Sequence, residues 1–391
     1  MAQRQFTIDD TSPWPFAYGS SINGVWTPTT TTLTPIDATC TGTISTRTLP
    51  AVNASFAAGQ LILIHQTYGS GAGGWELNRI ESYLDGVITT SFDLTQNYVT
   101  GAQVLVMPQY ASVDIASGQT ITGKSWNGSV GGITAFFSNG LTNIAGSLTA
   151  NGVTGVGSSP NNNNITVGGG FRGGGGWRAT NDEGISGDGT GGLRAQVDDP
   201  GGNAGGGGRQ SGGDSGGGGG GNGGAGSNGS SNSGTGGIGG DASGNAALTN
   251  MNLGGGGGGG RTDDAEGGHG GSGGGIILII TRTIAISGSL TSNGGSGYSV
   301  LQACGGGGAG GSILIKCQSG TLGSGIVQAV GGGGGATGGS QSGGNGGTGR
   351  IHVDYLTSLT GTTSPALDSS QDSSLVNRPT GAAVLAGFLS T

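Results

Sequence analysis

Seven consecutive glycines occupy positions 254–260, and shorter runs recur at 168–170, 173–176, 205–208, 216–221, 305–308 and 331–335. No other feature restricts the fold as strongly. An interior glycine costs about 1 kcal/mol relative to alanine in a helix, so a helical protein is excluded. Collagen is excluded because glycine has no strict three-residue period and no proline lies between Pro200 and Pro365. A doubly wound enzyme would need long amphipathic segments to cover its sheet, and none is present.

The glycines are concentrated. Of 98 in the 391-residue chain, 78 fall between positions 151 and 350. Two physical states suit such tracts. One is a flexible linker, since glycine loses the most conformational entropy on ordering. The other is a packed bundle of polyglycine-II helices, extended chains with three residues per turn whose backbones approach closely and bond to each other. Linkers usually mix in serine, threonine and glutamate, whereas these tracts are nearly pure glycine with ends pinned at strands. That favours the bundle.

A repeat supplies the strands. Ile144-Ala-Gly-Ser-Leu-Thr-Ala-Asn-Gly152 matches Ile286-Ser-Gly-Ser-Leu-Thr-Ser-Asn-Gly294. Each copy follows a strand entered from a double glycine, at Gly131-Gly-Ile133 and Gly274-Gly-Ile276. A third copy starts at Gly310, and a partial fourth reads Gly349-Arg-Ile-His-Val-Asp-Tyr355. Each unit is expected to be two short strands, stacked on its neighbours as the rung of a β-solenoid-like spine. Short strands are also expected at 61–65, 86–90 and 104–107. The fold class is therefore all-β: an N-terminal β domain (1–112), a first rung (113–166), a glycine-rich polyglycine-II region with interleaved rungs (167–349), and a last strand with an apolar tail (350–391).

The chain carries 13 basic and 21 acidic residues, a net charge of −8, with no basic stripe. Nucleic acid is not expected as a partner. Cys40, Cys304 and Cys317 are read as buried free thiols. The opening ten residues lack a signal-peptide core, and the longest aliphatic run, Ile276 to Ile280, is far short of the roughly 20 residues of a membrane span. Membrane insertion is not expected.

Gly118-Gln-Thr-Ile-Thr-Gly-Lys-Ser125 fits the phosphate-loop pattern, but no helix can follow it, so it is read as a turn. Gly236-Gly-Ile-Gly-Gly-Asp241 departs from the calcium nonapeptide and stands alone. His65, His269 and His352 have no acidic or cysteine partner at metal-ligand spacing. No metal, cofactor or catalytic group is assigned, and the chain is not expected to be an enzyme.

Nearly all charge in the glycine region sits between tracts, where the chain must turn. Trp177, Arg178, Asp182, Glu183, Arg209, Arg261, Asp263, Asp264 and His269 are the candidate contact residues on these tips. Trp177 is either a stacking anchor or a cap on the end of the glycine slab.

Glycine tracts alternating with short variable loops, behind a β-rich N-terminal part, resemble the tail-fibre tip adhesins of T-even-type bacteriophages. The tracts and the tips between them carry the likeness. It implies a glycine domain of stacked polyglycine-II helices, an N-terminal part that attaches to other fibre or virion subunits, and loops that contact a host surface protein or glycan. It implies a location on a virion or an extracellular surface. Three further readings stay open: a self-assembling fibre, sheath or capsid-decorating subunit; a polysaccharide depolymerase; and an ice-binding protein.

Overall fold

A computed structural model describes residues 18–157, 167–178, 182–209, 213–232, 234–263, 266–336 and 341–375. Among these residues the fold is all-β, without helices. The apolar tail at 382–389 and Asp264 lie outside them.

Two short strands, β1 (Val25–Trp26) and β2 (Thr31–Thr32), come first. Six strands then form an antiparallel sheet: β3 (Asp37–Gly42), β4 (Thr48–Pro50), β5 (Leu61–Gln66), β6 (Trp75–Leu84), β7 (Val87–Thr90) and β8 (Tyr98–Val106). Their order is β3-β8-β5-β6-β7-β4. Side chains alternate across this sheet. Ile62 and Ile64 of β5 face its own core, with Leu49, Phe56 and Val104. Leu61 and Leu63 face a second core shared with the rest of the molecule.

The remaining strands are mostly parallel. They are β9 (Gln109–Tyr110), β10 (Ser112–Ile115), β11 (Thr120–Thr122), β12 (Ile133–Ile144) and β13 (Ser147–Thr149), then four two-residue strands in the glycine region, β14 (Trp177–Arg178), β15 (Ser230–Ser231), β16 (Gly234–Thr235) and β17 (Arg261–Thr262). After them come β18 (Ile276–Ile286), β19 (Ser289–Thr291), β20 (Ser312–Gln328), β21 (Arg350–Ser364) and β22 (Asp368–Gln371).

β12, β18, β20 and β21 stack parallel and in the register of the sequence repeat. Ile133 pairs with Ile276, Ile277 with Ile313, and Ile313 with Ile351. Further along, Ile144 pairs with Ile286 and Leu148 with Leu290. Like residues therefore stack on like, and their side chains enclose a continuous aliphatic core. Two details differ from the expectation. β20 is one unbroken strand of 17 residues, not two short ones. The fourth unit is complete, since β21 pairs with β20 as far as Gln328↔Ser364. Phe136, Ile279 and Ile315 are fully buried in this core, as suits parallel strands covered on both faces.

The glycine tracts are neither α-helix nor sheet, yet one of them is bonded along its whole backbone. In the tract 254–260 every N–H donates and every C=O accepts, at 2.8 to 3.2 Å. Gly254, Gly257 and Gly260 donate to Gly274, Gly271 and Gly268. Gly255 and Gly258 donate to Gly221 and Gly218, and Gly256 and Gly259 to Asp188 and Ile185. The carbonyls follow the same rhythm. Gly254, Gly257 and Gly260 accept from Phe171, Gly174 and Trp177. Gly255 and Gly258 accept from Ala309 and Gly306, and Gly256 and Gly259 from Gly205 and Gly208. Every third residue returns to the same neighbour, so one tract has six. The tract 216–221 repeats this rhythm, donating to Ser230 and Ser227, to Cys304 and Gly307, and to Gly206 and Asn203.

Such spacing leaves no room for side chains. A Cβ at Gly258 would lie 1.8 Å from the carbonyl oxygen of Gly206. The same tract runs on into the apolar core at its start, through buried Leu253, Met251 and Leu248. That segment docks the N-terminal sheet. Trp75 Nε1 donates to Leu248 O at 3.0 Å, and Met251 N donates to Gly73 O at 2.8 Å. Fully buried His65 is the third link. Its Nε2 lies 2.7 Å from Met251 O, and its Nδ1 lies 3.0 Å from Thr67 Oγ1. A carbonyl can only accept, so Nε2 carries the proton.

Two predictions follow from these contacts. Gly258→Ala should lower stability by about 3 kcal/mol or more, because overpacking falls on backbone that cannot give way. Gly333→Ala is the control: it is exposed, its nearest atom is Ser296 Oγ at 3.9 Å, and the change should stay within about 0.5 kcal/mol in a thermal melt. Burial pulls His65 down to about 4 from its ordinary 6.5. The unfolded chain therefore takes up a proton first as pH falls. The stability linked to neutral His65 is full above pH 6.5 and declines as pH falls toward 4, by up to about 3 kcal/mol. Melts of the wild type and His65→Gln at pH 7 and pH 4.5 should show the smaller acid loss in the variant.

Candidate functional site

The tracts lead into the β strands at one end and turn at the other. Tract 254–260 begins beside Gly274, two residues before β18, and ends beside Gly268 and Trp177. Described residues of several turns, among them Trp177, Ser215, Ser231, Arg261, Tyr298 and Gln341, gather at that second end. Two backbone contacts tie them. β14 pairs with β17, Trp177 opposite Arg261 and Arg178 opposite Thr262. Ser215 bridges to both Ser231 and Arg261.

Arg261 organises the surface from beneath. It is 1% exposed, so it is not a surface contact as its charge suggested. Its Nε donates to Asp182 O at 3.2 Å, and its Nη1 donates to Gly213 O. One guanidinium thus holds two loops by their carbonyls, which suits its rigid fork of donors. His269 is also buried, at 1%, and corrects the same expectation. Its own carbonyl accepts from Tyr298 N at 2.9 Å. Both residues sit within the array because their backbones continue the three-residue rhythm, leaving their side chains in the interior.

The other candidates remain at the surface. Arg178, Asp182 and Asp263 are exposed; Trp177, Glu183 and Arg209 are half-buried. Glu183 and Arg209 are engaged internally. Glu183 Oε2 accepts from Asp198 N at 3.0 Å, and the Arg209 guanidinium pairs with the Asp198 carboxylate. Trp177 continues the tract that bonds to Gly260, and its indole N–H is enclosed, so the ring caps the array and does not stand out from it. The exposed charges are then Arg178, Asp182, Asp263 and Glu266.

Tyr298 and Leu301 were missed by the sequence reading. Leu301 is 89% exposed, the most exposed large apolar side chain among the described residues. The signal was available: Tyr298-Ser-Val-Leu301 interrupts the glycine region just before Cys304, but it lacks the charge by which tips were chosen. The turn at 341 is tied to the turn at 232 through Gln341 Nε2 and Asn232 Oδ1.

Among the described residues no group of histidine, cysteine and carboxylates is placed to hold a metal ion. His352 does have acidic neighbours in space that its spacing did not suggest. Its Nδ1 lies 2.8 Å from Asp368 Oδ2, and its Nε2 lies 3.1 Å from Asp354 Oδ1. This cluster pins β22 to β21, far from the loop end. All three cysteines are free and buried, and burial pushes Cys317 up to about 12, so it is an unreactive thiol.

No protein family, curated protein or solved structure matches the chain.

Arg261→Ala should release both loops it holds. Amide exchange at 182–185 and 213–215 should quicken at least tenfold, and the melting temperature should fall. Asp263→Ala, exposed on the adjoining turn, should leave the melting temperature within about 1 °C.

Proposed function

We propose that this chain is a phage-type receptor-binding protein of the tail-fibre adhesin kind, recognising a host-cell surface protein or glycan through loops on a rigid base. The finer architecture belongs to the same proposal. The tracts are polyglycine-II helices, and the stacked parallel strands act as a short β-solenoid spine. The observation that carries the reading is the six-neighbour bonding of tract 254–260. A base bonded in six directions lets loops vary at its end without loss of fold, and recognition by variable loops on a fixed scaffold needs that property. The three-residue rhythm of donors and acceptors is what polyglycine-II packing requires.

Exposed Arg178, Asp182, Asp263 and Glu266, with apolar Leu301 and Tyr298 on another turn, give the loop end a mixed charged and apolar surface. Such a mixture suits a contact whose centre is apolar and whose rim is polar. Asp264 completes the candidate set by sequence. Residues 1–112 would face the carrying fibre or virion subunit. A self-assembling structural subunit is the second reading, favoured by exposed Ile22 (78%) and Val25 (65%) around the two-residue strand β1.

The test uses cells of a bacterial strain panel and fluorescently labelled purified chain. Binding to some strains and not others is expected, with Leu301→Lys and Asp182→Lys together removing it while the melting temperature holds. Labelling of no strain, with concentration-dependent polymerisation in sedimentation, would replace the adhesin reading by the structural one.

A further inference from the structure

The chain from Ile185 to Gln196 doubles back on itself, closed by the bridges Ile185↔Gln196 and Gly189↔Gly192. It joins the glycine array through Asp188 O, which accepts from Gly256 N at 3.1 Å, and it is exposed at Leu193, Ala195 and Gln196. The Asp188 side chain is fully buried. A carboxylate has about four acceptor positions, and this one fills them. Oδ2 accepts from Arg172 Nε at 2.5 Å and from Trp126 Nε1 at 3.3 Å. Oδ1 accepts from Arg172 Nη2 at 3.3 Å and from Arg194 N at 2.9 Å.

Arg194 is left over. It reaches Asp188 through its backbone and not through its guanidinium, whose Nη1 is shut off from solvent with no hydrogen-bond partner among the described residues. Arg172 is fully engaged, since its remaining nitrogen, Nη1, donates to Asn127 O at 3.1 Å. Two guanidinium groups therefore share one carboxylate, and the cluster holds one uncompensated positive charge in a chain of net charge −8. Burial, and then the Arg172 charge, disfavour the charge on Arg194, while Asp188 favours it. A buried charged donor without an acceptor is costly, and native proteins rarely keep one unpaired. The stretches outside the described residues on either side of Arg172 in the chain, 158–166 and 179–181, contain no acidic residue. Asp264 follows β17 at the loop end, and the tract from Gly256 to Arg261 alone covers about 15 Å.

We propose that Arg194 binds one carboxylate group of a ligand, with Arg172 holding Asp188 so that it cannot serve instead. The excess is a single positive charge, which a singly charged carboxylate cancels. The planar guanidinium offers paired donors that match the two oxygens of a carboxylate. Arg172 and Trp126 fix Asp188 from the array side, so the Arg194 backbone is held while its side chain keeps its donors for the ligand. The carboxylate can come from a free small acid or from an acidic sugar of a glycan. An acidic glycan is the source that the host-binding reading supplies, and that identification rests on the reading; the chemistry rests on the cluster. The assay contains no host cells, so its failure and that of the receptor reading are distinguishable.

The test labels the arginines of the full chain with nitrogen-15 and follows their Nε–Hε signals by NMR, with Arg194→Gln identifying the signal of Arg194. Acetate, glucuronate and the uncharged methyl ester of glucuronate are the probes, each taken to millimolar concentrations at constant ionic strength. The Arg194 signal should move saturably with acetate and with glucuronate, and the ester should bind at least tenfold more weakly. The signal of exposed Arg178 should stay in place. Tighter binding of glucuronate than of acetate makes an acidic sugar the source, and equal binding makes it the carboxylate alone; either result supports the site. Arg194→Gln should remove the stabilisation of the melting temperature by glucuronate. If that variant misfolds, the titration of the native chain is still a complete readout. Absence of a saturable shift at Arg194 with both acids overturns the proposal, as does equal binding of the ester or an equal shift at Arg178. Binding that tightens tenfold in Asp9→Asn/Asp10→Asn also overturns it, since Arg194 would then belong to the chain's own N-terminal carboxylates.

Discussion

A polypeptide without side chains can bury its backbone only against another backbone. Tract 254–260 meets that constraint with every N–H and every C=O bonded, in a cycle of three that reaches six neighbours. The energetics explain the form. Ordering a residue costs about 1–2 kcal/mol of backbone entropy, and glycine sits at the costly end. A main-chain hydrogen bond returns about 0.5–1.5 kcal/mol net, and close Cα–H···O contacts add about 0.5–1. Such a tract roughly breaks even. It needs its ends fixed by something that gains more.

The parallel strands provide that fixing. The glycine segments at 268–274 and 304–310 run straight into β18 and β20, whose isoleucines close an aliphatic core. Burial of such side chains is worth about 1.5–3 kcal/mol each. The strands thus anchor the tracts, and the tracts space the strands. At the far end the same logic is reversed. Arg261 lies beneath the surface there and holds two loop carbonyls with one guanidinium.

The repeat was legible in the sequence, because Ile144 and Ile286 occupy equivalent places and pair in space, but the completeness of its fourth copy was not. The all-β class was legible too, from glycine and strand patterns alone. The grouping of the tips followed from the tracts, but not their roles. Arg261 and His269 looked like tip residues by charge and proved to be buried, since the three-residue rhythm of a tract, invisible in composition, decides which way a side chain points. The exposed turn at Tyr298 and Leu301 interrupts the glycine region but carries no charge, and charge was the sign by which tips were chosen.

The account rests on the bonding of tract 254–260, and residue-resolved amide exchange in the full chain reads it directly. Ordered, six-neighbour bonding predicts slow exchange at all seven amides, comparable with the core of β18 at 277–280. Exchange as fast as at the exposed turn glycine Gly118 would contradict it. The loops would then stand on a tether and not on a base.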